Sequence, residues 1–122
     1  MPLNDTLLNI GAAAMQAAAT HMSLGTAQPN ATGTTNQALC SRQAITWVTA
    51  ANGDMVATVD LAFTGGAASG PCTHACFWST AGSGNPPTGG TYYGDYPLTG
   101  DQTFNAAGEY TVTGITIPGT AT

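Results

Sequence analysis

The sequence predicts a mainly β protein: an N-terminal helix over residues 1–20, then an antiparallel β-sandwich, jelly-roll-like, of about seven or eight strands over residues 21–122. Three observations point there. A helical spacing of apolar residues occurs only near the start, in NDTLLNIGAAAMQAAA (4–19). From residue 21 on, short runs rich in β-branched and aromatic residues are separated by clusters of Gly, Pro, Asn and Thr, as in antiparallel sandwiches and barrels. In one run, DMVATVDLAFT (54–64), side chains alternate with the period of two that puts Met55, Ala57, Val59, Leu61 and Phe63 on one face.

Each element has its own local reason. Asn4 or Asp5 caps the helix by accepting a bond from a free backbone N–H. Leu7, Ile10, Ala14 and Ala18 form one stripe along it, and Gly11 costs about 1 kcal/mol relative to Ala. The Ala-rich second half has little to bury, so the helix either covers the core or packs closely against something larger. HMSLGTA (21–27) reads as a strand, QPNATGTTN (28–36) as a loop and RQAITWVTA (42–50) as a strand. Asn52-Gly53 marks a hairpin, because both residues tolerate the positive φ of a type I′ turn. A two-residue turn there pairs Ala50 with Met55 and Val48 with Ala57, leaving Ile45 and Trp47 on the other face. Either both faces are buried or the register shifts by one; the expectation is burial of both, one in the core and one against a partner. GGAASGP (65–71) is a loop, THACFWS (73–79) a strand and TAGSGNPPTGG (80–90) a long connection. TYYGDY (91–96) and DQTF (101–104) are short strands, and EYTVTGITI (109–117) is the last, with a phase slip at Gly114 that predicts a β-bulge.

Charge narrows the function. Only 6% of the 122 residues are charged, net charge is −5, Lys is absent and Arg42 is the sole Arg; ordinary domains carry about 25% charged residues. Such a chain has no means of neutralising a row of phosphates, which excludes nucleic-acid binding. No apolar run approaches the roughly 18–20 residues of a membrane span, and no basic stretch precedes an apolar one at the start, so a soluble protein without a secretion signal is expected. With 21 Thr, 21 Ala and 16 Gly, the surface is built from small neutral residues. A free monomer normally carries more charge for solubility; the inference is that neighbours in an assembly cover much of it. Arg42 is expected to pair with an Asp or Glu.

The densest chemistry is PCTHACFWS (71–79), which holds two of the three Cys and one of the two His. In a strand, Cys72, His74, Cys76 and Trp78 share a face, but positions 72 and 76 lie about 13 Å apart at ~3.3 Å per residue. That is too far for one zinc, whose thiolates sit roughly 4 Å apart, or for a mutual disulfide. Small cysteines then serve as packing residues. Cys40 has Cys72 or Cys76 as a cross-strand candidate, but thiols are the default inside cells and no disulfide is expected. The acids Asp5, Asp54, Asp60, Asp95, Asp101 and Glu109 are scattered, and no nucleophile elbow, phosphate loop or zinc-protease helix occurs. No enzyme, cofactor or metal is expected. His21 and His74 read as structural residues, as do Arg42 and Trp78. Of the aromatics, Trp47, Tyr92, Tyr93 and Tyr96 are candidates for an interface or ligand face, with TYYGDY the best stretch for stacking a sugar.

The order of segments resembles a family of small virion proteins of tailed bacteriophages, especially phages of actinobacteria. The likeness lies in a His-x-Ser-Leu strand (21–24), an Arg-Gln-Ala-hydrophobic-Thr-Trp strand (42–47), a Thr-His-x-x-hydrophobic-Trp-Ser strand (73–79), a Gly-Gly-Thr segment with aromatics (89–93) and a final Gly-x-Tyr-Thr strand (108–111). It spans nearly the whole chain. Such proteins are labelled tail-fibre, minor tail or capsid-surface proteins. The resemblance implies a virion component without catalysis, made in the bacterial host cytoplasm, present in many copies as a homo-oligomer (a trimer favoured) and in contact with capsid or tail proteins. Decoration of the capsid is the leading expectation, and a tail module binding a host glycan the alternative. Cys76 stands where the family commonly has a small residue such as Gly, so the resemblance assigns it no shared role.

Overall fold

The structure is a computed structural model and describes residues 4–119. One helix, α1 (Asp5–Ala18), precedes eight strands: β1 (His21–Gly25), β2 (Gln43–Ala44), β3 (Met55–Ala57), β4 (Leu61–Phe63), β5 (His74–Trp78), β6 (Tyr92–Pro97), β7 (Tyr110–Val112) and β8 (Ile115–Ile117). The fold is mainly β and sandwich-like, and every strand pair is antiparallel. A four-stranded sheet runs in the order β2-β1-β5-β6, and two ribbons, β3–β8 and β4–β7, complete the strand pairing. Met22, Leu24, Ala75 and Phe77 on one face of the sheet meet Leu61, Phe63 and Val112 of the β4–β7 ribbon in the main core, with Cys40, Cys72 and Phe104 between them. Burying a side chain the size of Phe63 or Leu24 contributes roughly 1.5–3 kcal/mol.

The helix begins where the sequence places it. Asn4 Oδ1 accepts a hydrogen bond from Leu7 N at 3.0 Å, and Asp5 adds a carboxylate to the first turn, where the helix dipole favours it. Two side chains fix α1 to the 48–53 segment: Gly53 N donates to Asn9 Oδ1 at 2.7 Å and Gln16 Nε2 donates to Val48 O at 3.0 Å. Gly53 is obligatory twice over. Its φ is 76°, and a Cβ there would stand 2.7 Å from Leu8 Cβ.

The Asn52-Gly53 turn forms, with φ of 55° and 76° and a bridge between Ala51 and Asp54. The register beyond it differs from expectation. Val48 N donates to Val56 O at 2.8 Å, whereas an undisturbed two-residue hairpin would put Val48 opposite Ala57. The one-residue slip turns Trp47 to the same side as Ala57, and Ile45 and Trp47 both pack on the main core. Two buried faces are therefore unnecessary, and the expected contact of a second face with a partner is not needed to cover Trp47. The predicted strand 42–50 shrinks to β2 plus extended chain.

Two predicted strands are each divided. Residues 54–64 become β3 and β4, and residues 109–117 become β7 and β8. Gly114, at φ 74°, lies in the break, and three residues (58–60) stand opposite two (113 and 114). The phase slip is thus an irregularity between two ribbons, with its extra residue on the opposite arm. It also rotates Val59 out of its predicted row to 52% exposure, while Met55, Ala57, Leu61 and Phe63 stay buried. Residues 101–104 form no strand; only Thr103 makes an isolated bridge, to Pro71.

Candidate interaction face

Two apolar stripes run along α1, and only one is used by the fold. Ala12 is buried and Leu8 half-buried on the side that meets the strands. The stripe Leu7–Ile10–Ala14–Ala18 points elsewhere: Leu7 is 51% exposed, Ile10 63%, and neighbouring Met15 51%. Its lower half, Ala14 and Ala18, together with Met15 and Ala19, forms one wall of an apolar groove of about 490 Å³. Met55, Phe77 and Ile117 supply further apolar lining, and residues 93–96 of β6 the facing wall. Leu7 and Ile10 extend the same stripe toward the helix N-terminus. In β6, Tyr93 is 51% exposed and Gly94 has open space where a Cβ would stand, so this wall is open to solvent.

The four aromatic candidates do not form one platform. Trp47 is half-buried, tilted against Phe77 with ring centroids 6.1 Å apart, and its Nε1 donates to Ala19 O at 2.8 Å. Tyr96 packs on the main core, and Tyr92 lies tilted against Trp78 with ring centroids 5.0 Å apart. Tyr93 alone presents a largely free ring, and only Tyr93 and Tyr96 line the groove.

The opposite face of the sheet is a small polar core beneath residues 26–42. Trp78 Nε1 donates to Ser23 Oγ at 2.9 Å, Ser23 Oγ donates to Gln37 Oε1 at 2.9 Å, and Gln37 Nε2 reaches Cys76 Sγ at 3.7 Å. This chain accounts for a serine that is only 2% exposed. Burial pushes the Cys76 thiol up to about 11 and, together with the negative charge of Cys76 and Asp95, raises Tyr92, whose hydroxyl donates to Asp95 Oδ2 at 3.0 Å. Cys72 does not share this face as predicted. It lies before β5 begins, where the alternation has not started, and joins Cys40 in the main core. Its thiol is also raised to about 11, first by burial and then by the charges of Asp101 and Cys40. All three cysteines are buried free thiols.

Arg42 makes no ion pair within the described residues, contrary to the expected acid partner. Its guanidinium is buried under the 80–90 connection, where Nη1 donates to Thr80 O at 3.0 Å and Gly89 O at 2.8 Å and Nη2 to Pro87 O at 3.2 Å. It lies 3.6 Å from the centre of the Trp78 ring. Backbone carbonyls of the enclosing connection take the place of the expected carboxylate. His74 Nδ1 is 2.8 Å from Thr73 Oγ1 and His21 Nδ1 2.8 Å from Thr20 Oγ1, so each imidazole has a local partner.

A second cavity, about 620 Å³, opens on the β4–β7 ribbon. Asp101, Glu109 and Tyr110 line it beside Thr64, Thr99, Thr111 and Thr113. Tyr110 Oη donates to Asp101 O at 2.6 Å, and Asp101 Oδ1 accepts from Thr103 N and Oγ1. Sequence reasoning left these two acids among the scattered ones, since they come to line one cavity only after the turn at residues 105–108 brings β7 alongside β4. Among the described residues no three His, Cys, Asp or Glu side chains are grouped to hold a metal ion, and no helix is long and apolar enough to cross a membrane.

No family model, no curated protein and no solved structure matches this chain. The class of protein rests on its own features: a small, mainly β, sandwich-like domain with an exposed apolar helix stripe and, among the described residues, no exposed Lys or Arg.

Proposed function

We propose that this chain is a non-enzymatic structural component of a bacteriophage virion, a small multi-copy accessory that decorates the capsid surface. One observation carries the reading. The single cation, Arg42, is only 6% exposed, while a helix turns Leu7, Ile10 and Met15 outward beside an apolar groove. Among the described residues the surface thus has no exposed Lys or Arg and has an apolar face ready to meet another protein. The ordered likeness of its segments to small virion proteins supports a capsid or tail protein as that neighbour. The test is gold-labelled antibody against the chain on purified particles of the phage that encodes it. Regular labelling of the head is expected; particles free of the chain would end the proposal.

A second reading, a tail module that binds a host glycan, gains support from a different place than the sequence suggested. The Asp101–Glu109–Tyr110 cavity offers carboxylate acceptors, threonine hydroxyls and an aromatic side chain, a set suited to a neutral sugar. Tail labelling together with a glycan-array signal abolished by Glu109→Gln would favour it over decoration.

A further inference from the structure

We propose that Asn52 is a site of spontaneous deamidation, and that α1 sets its rate by holding the Gly53 backbone nitrogen through Asn9. The inference goes beyond the structural reading above and does not rest on it. The reaction is intramolecular, with water as the co-reactant. The Gly53 nitrogen gives its proton to solvent base and bonds to Asn52 Cγ. The Cγ–Nδ2 bond breaks, and Nδ2 takes a proton from water and leaves as ammonia. Water then opens the five-membered imide at either carbonyl, which leaves an aspartyl or an isoaspartyl residue at position 52 and one more negative charge on the chain. Nothing is oxidised or reduced.

The sequence and the exposure select the site. Asn is among the thermally labile side chains, and of the seven Asn in the chain only Asn52 precedes Gly. A glycine has no side chain to shield its nitrogen from the neighbouring carboxamide. Asn52 is exposed in the turn, so water and base reach it.

The helix restrains it. Gly53 N donates to Asn9 Oδ1 at 2.7 Å, so the nitrogen that has to lose its proton is held by α1. Gly53 is also buried, with Leu8 against it. Ring closure needs that nitrogen swung toward Cβ of Asn52. The turn opposes the swing: Asn52 and Gly53 are at φ 55° and 76°, and Asp54 N closes the turn by donating to Ala51 O at 2.9 Å. Deamidation therefore waits for a local opening in which the turn parts from α1. Asn9 is a positioning residue that keeps this opening rare.

The product makes the opening permanent. An isoaspartyl residue adds one methylene to the main chain beside Gly53. Even a Cβ on Gly53 would stand 2.7 Å from Leu8 Cβ, so the lengthened turn cannot return to its place under the helix.

The test follows the full chain in warm buffer at pH 8. Mass spectrometry of the proteolytic peptide spanning the turn reads the conversion, and labelling by isoaspartyl methyltransferase reads the isoaspartyl share. Wild-type chain unfolded in urea is expected to convert at Asn52 about tenfold faster than folded chain or more. Asn9→Ala is expected to raise the folded rate about three- to tenfold, the opening factor of one lost hydrogen bond. Asn9→Asp keeps an acceptor for Gly53 N and restores a rate near wild type. Arg42→Lys, which weakens the fold at the 80–90 connection, stays within about twofold of wild type if the opening is local. The isoaspartyl form, separated by ion exchange, is expected to melt below fresh chain. Equal rates in folded and unfolded wild type, no acceleration in Asn9→Ala, or equal acceleration in Arg42→Lys overturns the inference. So does conversion at another Asn ahead of Asn52, and an isoaspartyl form that melts with fresh chain overturns the release of α1.

Discussion

A guanidinium presents five N–H donors in a planar fork, and Arg42 directs its terminal nitrogens at carbonyls of Thr80, Pro87 and Gly89 while its plane lies against Trp78. An ammonium has neither the fork nor the plane. Arg42→Lys is therefore expected to destabilise the fold by about 1.5–3 kcal/mol, the range for hydrogen bonds to a charged group. Denaturant melts measure the loss, and faster proteolytic cutting within residues 80–90 locates it; a melt equal to wild type would show that the carbonyl cage is idle. The need to bury this cation was not readable from SRQAITW, since nothing near it in sequence indicates which loop will close over it. The thiols make a second prediction at this scale. Burial raises Cys72 and Cys76 from 9.0 to about 11. A raised folded-state value means that the stabilisation is complete below pH 9 and is lost as pH climbs through about 11. Each thiol then weakens the fold progressively across that window, because the unfolded chain gives up the proton first. Melting temperature should drop between pH 9 and 11, and drop less for Cys72→Ala and Cys76→Ala; a flat profile in wild type would show that the thiols ionise without unfolding cost.

Elements were readable to the extent that their signals are local. The Asn4 cap, the helix from Asp5 and the Asn52-Gly53 turn all rest on contacts within a few residues, and all appear. Stripe selection on α1 is not local. Leu7, Ile10, Ala14 and Ala18 are one apolar row and Leu8, Ala12 and Ala19 another; the sequence contains both, and only the position of the 48–53 segment decides which one is covered. Sequence reading named the exposed row, which is why the groove wall was visible in advance but the floor was not: Met55, Phe77 and Ile117 come from three strands far apart in the chain. Register failed for the same reason. The slip at Val48 and the three-against-two mismatch at residues 58–60 are set by what packs across the sheets. Gly53 is where the helix and hairpin depend on each other. Gly53→Ala is expected to cost more than the ~1 kcal/mol usual for a positive-φ glycine, because the added methyl also meets Leu8 Cβ at 2.7 Å. Circular dichroism melts measure it, and the double change Gly53→Ala with Leu8→Gly, which removes that Cβ, should recover part of the loss relative to the sum of the two single changes. Without that recovery, the close approach of helix to turn is not what the glycine serves.

For the molecule as a whole, the absence of exposed Lys and Arg fixes how it responds to salt. In most proteins added salt screens attractive surface ion pairs as well as repulsions, and the two effects partly cancel. Here no ion pair of Arg42 exists to be weakened, and the carboxylates that remain at the surface repel one another. The Debye length shrinks from about 10 Å at 0.1 M to about 3 Å at 1 M, which removes most of that repulsion. Sodium chloride from 0.05 to 0.5 M at pH 8 is therefore expected to raise stability monotonically. Pairs separated by more than 10 Å in water contribute only tenths of a kcal/mol each, so the rise in melting temperature should be about 1–3 °C. The same screening should leave the chain's attachment to particles intact, because apolar contact through Leu7, Ile10 and Met15 does not depend on ionic attraction. A melting temperature that falls with salt would mean that hidden attractive pairs hold the fold, and a surface of one sign would then no longer account for how this chain meets its neighbours.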